Sequence, residues 1–184
     1  MIYSFLGPGG SGKTTIVALL KHLGFVANFY DADPAKDLIR FAGADEFQGS
    51  VLSPAVIDFP LLEYSFFAIP ENSEVVIVTT PNRLQIEKTR VIIEDLREAG
   101  RRIRGIVVNK CSKGYEKVAA SLNLELIGNI RYSEEVEDQG IAYDHISEFK
   151  VNSQLEEEIR RIGEKLQLVS RIEPEKKGWL PWKR

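Results

Sequence analysis

The sequence predicts an α/β fold, a three-layer α/β/α arrangement with a mostly parallel central sheet. Three observations carry that expectation. Short apolar runs alternate with longer amphipathic ones, the apolar runs are rich in Val, Ile and aromatics and bounded by turn residues, and a glycine-rich octapeptide joins the first run to the first amphipathic segment. Strand–helix alternation builds a parallel sheet with helices on both faces, and its strands are apolar throughout because both faces are covered.

The apolar runs, read as strands, are residues 2–6, 25–30, 54–59, 74–79, 103–109 and 124–130. Residues 14–23 read as a helix. So do residues 82–99, where Leu84, Ile92, Leu96 and Ala99 recur at helical spacing and Glu87/Arg90, Glu94/Arg97 and Glu98/Arg102 can pair on a solvated face before Gly100 stops the helix. Pro34 suits the first position of a short helix. A last helix begins at Ser153, where Ser153-Gln154-Leu155-Glu156 fits a capping box, and Leu155, Ile159, Ile162, Leu166 and Val169 make one apolar stripe for docking on the sheet.

The chain has 184 residues, which suits one domain. We expect that domain over residues 1–170, with residues 171–184 as a C-terminal tail. With 43% hydrophobic and 28% charged residues it is neither a disordered chain nor a disulfide scaffold. Its 24 Lys+Arg against 27 Asp+Glu leave a net charge of −3, so no general nucleic-acid site is indicated. The single cysteine, Cys111, makes no internal disulfide or cysteine-based metal site and points to a reducing, cytoplasmic setting. No apolar run approaches the ~18–20 residues of a membrane span, and Met1 leads directly into an apolar strand without a basic leader region.

Gly7-Pro8-Gly9-Gly10-Ser11-Gly12-Lys13-Thr14 satisfies G-x-x-x-x-G-K-[ST] between a strand and a helix, the context a P-loop requires. The glycines allow torsions that a side chain forbids, so that consecutive amides of Gly9, Gly10, Ser11 and Gly12 can ring phosphate oxygens. Lys13 brings a charge to the β- and γ-phosphates, the Thr14 hydroxyl suits Mg²⁺, and Thr15 lies near the α-phosphate. The expected fold is therefore of the P-loop NTPase type, and the expected cofactors are a nucleoside triphosphate and Mg²⁺.

Acidic residues stand at later strand ends. Asp31 and Asp33 are two apart, so on extended backbone both face one side; one can steer water and the other bind the hydrated metal, or Asp33 can serve as a helix N-cap. Asp58 closes Ala55-Val56-Ile57-Asp58, a hydrophobic strand ending in an acid that can hold Mg²⁺ through water. Asn109, ending another strand, can read an adenine edge with its amide or simply turn the chain. Ser112 stands where a GTPase usually carries an Asp, which removes the main support for guanine.

Together these elements resemble the deviant Walker A ATPases, the group that includes MinD/ParA, the nickel-insertion ATPase CooC, the arsenite-pump ATPase ArsA and the tail-anchored-protein targeting ATPases. Asp33-Pro34-Ala35-Lys36-Asp37-Leu38 is similar to the switch I of the ArsA and targeting branch, D-P-A-H-[NS]-L, with Lys36 in place of His. Val78-Thr79-Thr80-Pro81 with Leu84, Glu87 and Thr89 is similar to its V-T-T-P segment, and Gly105-Ile106-Val107-Val108-Asn109 to its G-I-V-V-N strand. Ser133-Glu134-Glu135-Val136 resembles an acidic turn of the MinD and CooC side. The resemblance spans roughly residues 1–170. It implies ATP and Mg²⁺, Asp33 orienting the attacking water, Asp58 as the Walker B acid, Asn109 at adenine, and a nucleotide-dependent homodimer.

The sequence also departs from that pattern. Pro8 occupies the place of the signature lysine that reaches a partner's phosphates, which implies slow hydrolysis, a dimer that does not form in the usual way, or another residue substituting. Switch II shrinks to Asp58-Phe59-Pro60, and both the cargo-binding helical insert and any cysteine pair are missing. The expectation is a slow Mg²⁺-dependent ATPase switch acting on an unidentified protein partner. Its rivals are a nucleotide-binding module without hydrolysis and a phosphoryl-transfer enzyme that would clamp phosphates with Arg83, Arg101 or Arg102. In the tail, Trp179 and Trp182 stand beside four basic residues, so the rings pack on protein, meet a membrane or partner, or stay unstructured; Gly178 and Pro181 oppose an amphipathic helix.

Overall fold

A computed structural model describes residues 1–60, 65–134, 136–138 and 144–170. The tail 171–184, with both tryptophans, and Glu135 of the acidic turn lie outside the described residues.

Seven strands form one sheet in the order β3-β2-β4-β1-β5-β6-β7, and every pairing is parallel. They are β1 (Ile2–Leu6), β2 (Asn28–Asp31), β3 (Asp45–Glu46), β4 (Ala55–Asp58), β5 (Glu74–Thr79), β6 (Arg102–Val108) and β7 (Leu126–Asn129). Between them run α1 (Lys13–His22), α2 (Asp37–Ala42), α3 (Ser65–Ala68), α4 (Arg83–Glu98) and α5 (Tyr115–Ser121), and α6 (Ser153–Lys165) follows β7. β1 sits at the centre with all five residues buried. Tyr3 and Phe5 face a core shared with α1, α2 and α6, while Ile2 and Leu6 face a second core under α4 and α5. A strand of period two buried on both faces has no solvated side to show, which is why its sequence is apolar but for Ser4, whose hydroxyl is satisfied by the Ser73 hydroxyl at 2.9 Å.

Several local expectations change. Asn152, not Ser153, caps α6, because its side-chain oxygen accepts the Leu155 amide at 2.9 Å; Ser153 is the first helical residue and Glu156 pairs with Arg160. Val169 leaves the docking stripe and is exposed, while Leu155, Ile159, Ile162 and Leu166 stay buried. On α4, Leu84 is exposed and Thr89 and Ile93 join Ile92 and Leu96 in the buried face. Asn82 caps α4, Gly100 ends it at φ 68°, and Glu87 and Arg90 pair at 3.9 Å. Pro34 does not start α2; it lies in a turn, and the helix begins at Asp37.

Candidate nucleotide site

In a parallel sheet the loops beyond the carboxyl ends of the strands share one edge, and ligands bind there. Register places Asp58 of β4 beside both Phe5 of β1 and Asp31 of β2. The octapeptide leaves β1 at this edge and enters α1 through Gly12, at φ 86°. Gly12 offers no side-chain cap, and the first turn of α1 has no acid, so its free amides and positive dipole end stay open to an anion. Crowding fixes the glycines. A Cβ on Gly7 would lie 2.0 Å from the Val78 carbonyl oxygen, and one on Gly12 2.3 Å from Asn109 Nδ2. Pro8 is buried, and its carbonyl accepts the Ser11 amide at 3.2 Å. Gly9 and Gly10 are exposed, Ser11 is buried, and Thr14 and Thr15 are half-buried beside Lys13.

Lys13 and Asp58 form the charged centre. Burial pulls the Lys13 ammonium below its usual value, while Asp58 and Asp33 draw it back up. Burial pushes the Asp58 carboxyl up to about 6; the Thr14 hydrogen bond and the Lys13 charge oppose this, and the Asp31 and Asp33 charges add to it. Thr14 Oγ1 donates to Asp58 Oδ2 at 2.6 Å. Asp58 Oδ1 is buried with no hydrogen-bond partner. A hydroxyl and an unpartnered carboxylate oxygen form an oxygen donor set that fits Mg²⁺. No group of three His, Cys, Asp or Glu able to hold a metal exists among the described residues.

Asp31 and Asp33 part company. Asp31 is buried, and its carboxylate turns toward the protein: Oδ1 accepts the Asp33 amide at 2.9 Å, and Oδ2 accepts the Leu38 and Ile39 amides at 2.9 and 3.1 Å. It caps α2 from a distance, because the N-cap residue Lys36 lies at φ 55° and provides no side-chain cap. Of the three residues expected to hold Mg²⁺, Thr14 and Asp58 are joined to each other at this edge, while Asp31 is taken up by backbone amides. Asp33 Oδ1 accepts the Ala35 amide and closes the turn at Pro34, so Asp33 is a turn-former and not the N-cap. Lys36, standing where the resemblance expects His, pairs with Glu46 of β3 at 2.8 Å.

Asn109 does not project freely. Its Nδ2 donates to the Ser11 carbonyl at 2.8 Å and its Oδ1 accepts the Lys110 amide at 2.8 Å. One N–H and one lone pair remain on the wall of a cleft of about 240 Å³. Gly12, Thr15, Ile130, Arg131 and Tyr132 line that cleft, and a Lys110–Glu137 ion pair of 2.6 Å stands at its rim. The phosphate loop and this cleft meet at Gly12 and Thr15. Arg101 and Arg102 lie at the start of β6, the end of the sheet opposite the loop, and Arg101 is bonded to the Phe66 and Phe67 carbonyls. The glycine loop is out of their reach.

Two residues that sequence reasoning missed reach this site. Gln85 of α4 donates from Nε2 to the Gly9 carbonyl at 3.1 Å. Glu158 of α6 is buried; it accepts the Arg131 amide at 3.1 Å and pairs with the Arg131 guanidinium at 3.3 Å, tying the helix to the cleft wall. The one sequence signal for Glu158 was its place at helical spacing from Leu155 and Ile162, an acid on the apolar face of α6.

No protein-family model matches the chain, and no curated protein matches it by sequence. Solved structures match by shape. A chain of the MinC:MinD cell division protein complex of Aquifex aeolicus aligns with a TM-score of 0.74 at 16% identity, covering 100% of this chain and 99% of that one. MinD of Pyrococcus horikoshii OT3, complexed with Mg-ADP, gives 0.67 at 17% identity over 90% and 95%. A ParA family ATPase of Chlorobium tepidum TLS gives 0.67 at 14% over 91% and 99%. The chain has the P-loop fold of the MinD/ParA-type ATPases.

Proposed function

We propose that the protein is a Mg²⁺-dependent ATP-binding and ATP-hydrolysing switch whose turnover is slow and whose nucleotide state is read by an unidentified protein partner. One observation carries the reading: the glycine loop, Lys13 and the Thr14–Asp58 pair, with Asp58 Oδ1 left without a hydrogen-bond partner, converge at one sheet edge beside a cleft of about 240 Å³. The loop amides of Gly9, Gly10 and Gly12, with Thr15, would hold the phosphates, and Lys13 would neutralise the β- and γ-phosphates; buried Ser11, expected among the phosphate donors, instead gives its amide to the Pro8 carbonyl. Thr14 and Asp58 would hold Mg²⁺, which when bound spreads the charge of the phosphate oxygens. Asp33, close enough to act on the Lys13 charge, would orient the attacking water, and the free edge of Asn109 would meet adenine.

Pro8 supports slow turnover. It is buried and carries no charge that could reach across to another subunit's phosphates. The Asp33–Leu38 segment supports a finer affiliation with the ArsA and targeting branch. The same region of a second copy is the expected nucleotide-dependent partner, and a cytoplasmic setting goes with this reading.

Calorimetry with ATP and Mg²⁺ tests it. Wild-type protein should take up ATP and Lys13→Ala should not; no uptake by wild type would overturn the proposal. Pro8 and the short Asp58-Phe59-Pro60 segment also favour a second reading, a module that holds ATP without cleaving it. Tight ATP binding without phosphate release, even with a partner present, selects that one.

A further inference from the structure

We propose that Gln85 is a positioning residue for the phosphate loop, acting with Asn109 as two arms of a clamp that pre-sets the loop amides offered to phosphate. This rests on the nucleotide reading above and gives that site two positioning residues outside the octapeptide, one on α4 and one just past β6.

The argument begins with peptide geometry. In a trans peptide the carbonyl of one residue and the N–H of the next point in opposite directions. Gln85 Nε2 holds the Gly9 carbonyl, so the Gly10 N–H must face away from α4. Asn109 Nδ2 holds the Ser11 carbonyl, so the Gly12 N–H must face away from β6. The amide between them, that of Ser11, is committed to the Pro8 carbonyl. Gly10 and Gly12 lie at φ 76° and 86°, where the chain reverses its peptide planes at residues without a Cβ. The two arms therefore fix the two peptide planes on which an anion-binding concavity depends.

Both arms share one anchor. The Thr79 carbonyl, at the end of β5, accepts the Asn109 amide at 2.7 Å. The Thr79 hydroxyl shares a 2.8 Å bond with the Thr89 hydroxyl, and Thr89 donates to the Gln85 carbonyl at 2.7 Å. Because Thr89 has one hydroxyl proton and gives it to Gln85, Thr79 supplies the proton of the shared bond. Both threonines are fully buried, so the seat of Gln85 is rigid. The amide orientation is equally constrained, since turning it would set Oε1 against the Gly9 carbonyl oxygen. As placed, Oε1 is buried without a partner. An orphaned acceptor is costly, and the molecule carries it where the Nε2 contact to the loop is made.

The test combines calorimetry with inorganic triphosphate and ¹H–¹⁵N spectra of the nucleotide-free protein. Gln85→Leu keeps the bulk and loses the donor; Gln85→Lys keeps a donor. The expected result for Gln85→Leu is a displaced Gly10 amide resonance, an unchanged melting temperature and roughly a tenfold loss of triphosphate affinity, the scale of the Gly10 amide's bond to a charged phosphate oxygen. Gln85→Lys should return the Gly10 resonance toward its wild-type position. If Gln85→Leu does not fold, Thr89→Val, which unseats Gln85 without touching the loop, should displace the same resonance. A Gly10 resonance and a triphosphate affinity that stay at wild-type values in these variants would overturn the clamp. Should wild type bind neither triphosphate nor ATP, the nucleotide reading falls, and the clamp still stands or falls on the Gly10 resonance, which needs no ligand.

Discussion

Thr14 and Asp58, forty-four residues apart in sequence, are joined by a 2.6 Å hydrogen bond that fastens the first turn of α1 to the end of β4. The bond partly offsets the burial of the carboxylate, and burial still wins, lifting Asp58 to about 6 from its ordinary 3.8. A carboxyl whose folded value exceeds its unfolded one stabilises the fold fully below the unfolded value, and loses that contribution as the pH rises through the folded value. In nucleotide-free protein, Asp58 should therefore lower stability progressively between about pH 4 and about pH 6. Asp58→Asn, uncharged throughout, should match wild type at the acid end and exceed it by on the order of 3 kcal/mol above that window. Urea unfolding across the window measures this, and parallel curves for the two proteins would refute it.

Asp33 should separate binding from cleavage. Its carboxylate closes the Pro34 turn and lies near Lys13, with no bond into the loop. Asp33→Ala should keep ATP affinity within about threefold and cut phosphate release by about a hundredfold, the scale of a lost acid–base or water-orienting group. Phosphate release at the wild-type rate would remove Asp33 from the chemistry.

Gly7 and Gly10 should respond differently to the same added methyl group. At Gly7 the new Cβ meets the Val78 backbone oxygen at 2.0 Å, and two adjacent buried strands must part to admit it. Gly7→Ala should cost about 3 kcal/mol, the upper range of overpacking. At Gly10 nothing lies within 4 Å, and only the torsion of φ 76° opposes the substitution. Gly10→Ala should cost about 1 kcal/mol in denaturant unfolding, the scale of a left-handed torsion for an L-residue.

Glu158 should matter to the nucleoside and not to the phosphates. Glu158→Ala strips the Arg131 amide of its acceptor and releases the guanidinium, at a cost of about 1–2 kcal/mol in stability. Because Arg131 lines the cleft and does not reach the loop, ATP affinity should fall while inorganic triphosphate binds as before. Equal losses for both ligands would contradict that division.

Much of this architecture could be read from residue order. Ile2–Leu6 and Glu74–Thr79 are strands to the residue, because a strand buried on both faces shows as an almost unbroken apolar run, with polar Ser4 buried inside the one and Glu74 and Thr79 only at the ends of the other. The octapeptide was legible because its torsions demand glycine. Other features were not. β3 is two exposed acidic residues, and pairing with β2 makes it a strand, not its own composition. The pair Asp31 and Asp33 reads as two carboxylates on one side, yet Asp31 turns inward because α2 lacks a local cap and takes a carboxylate from the preceding strand. Asn152 displaced Ser153 because either side chain can cap, and only the helix start decides between them. Gln85 left no local trace, since its partner Gly9 is seventy-six residues away.

The sixteen residues of α4 span about 24 Å. One end grips Gly9 through Gln85; just past the other, Arg101 holds the Phe66 and Phe67 carbonyls of α3. A single rod thus spans the molecule from the phosphate loop to an outlying segment that displays the bare ring of Phe67. A displacement of Gly9 therefore either breaks the Gln85 bond or pulls on a helix whose far end is tied to α3.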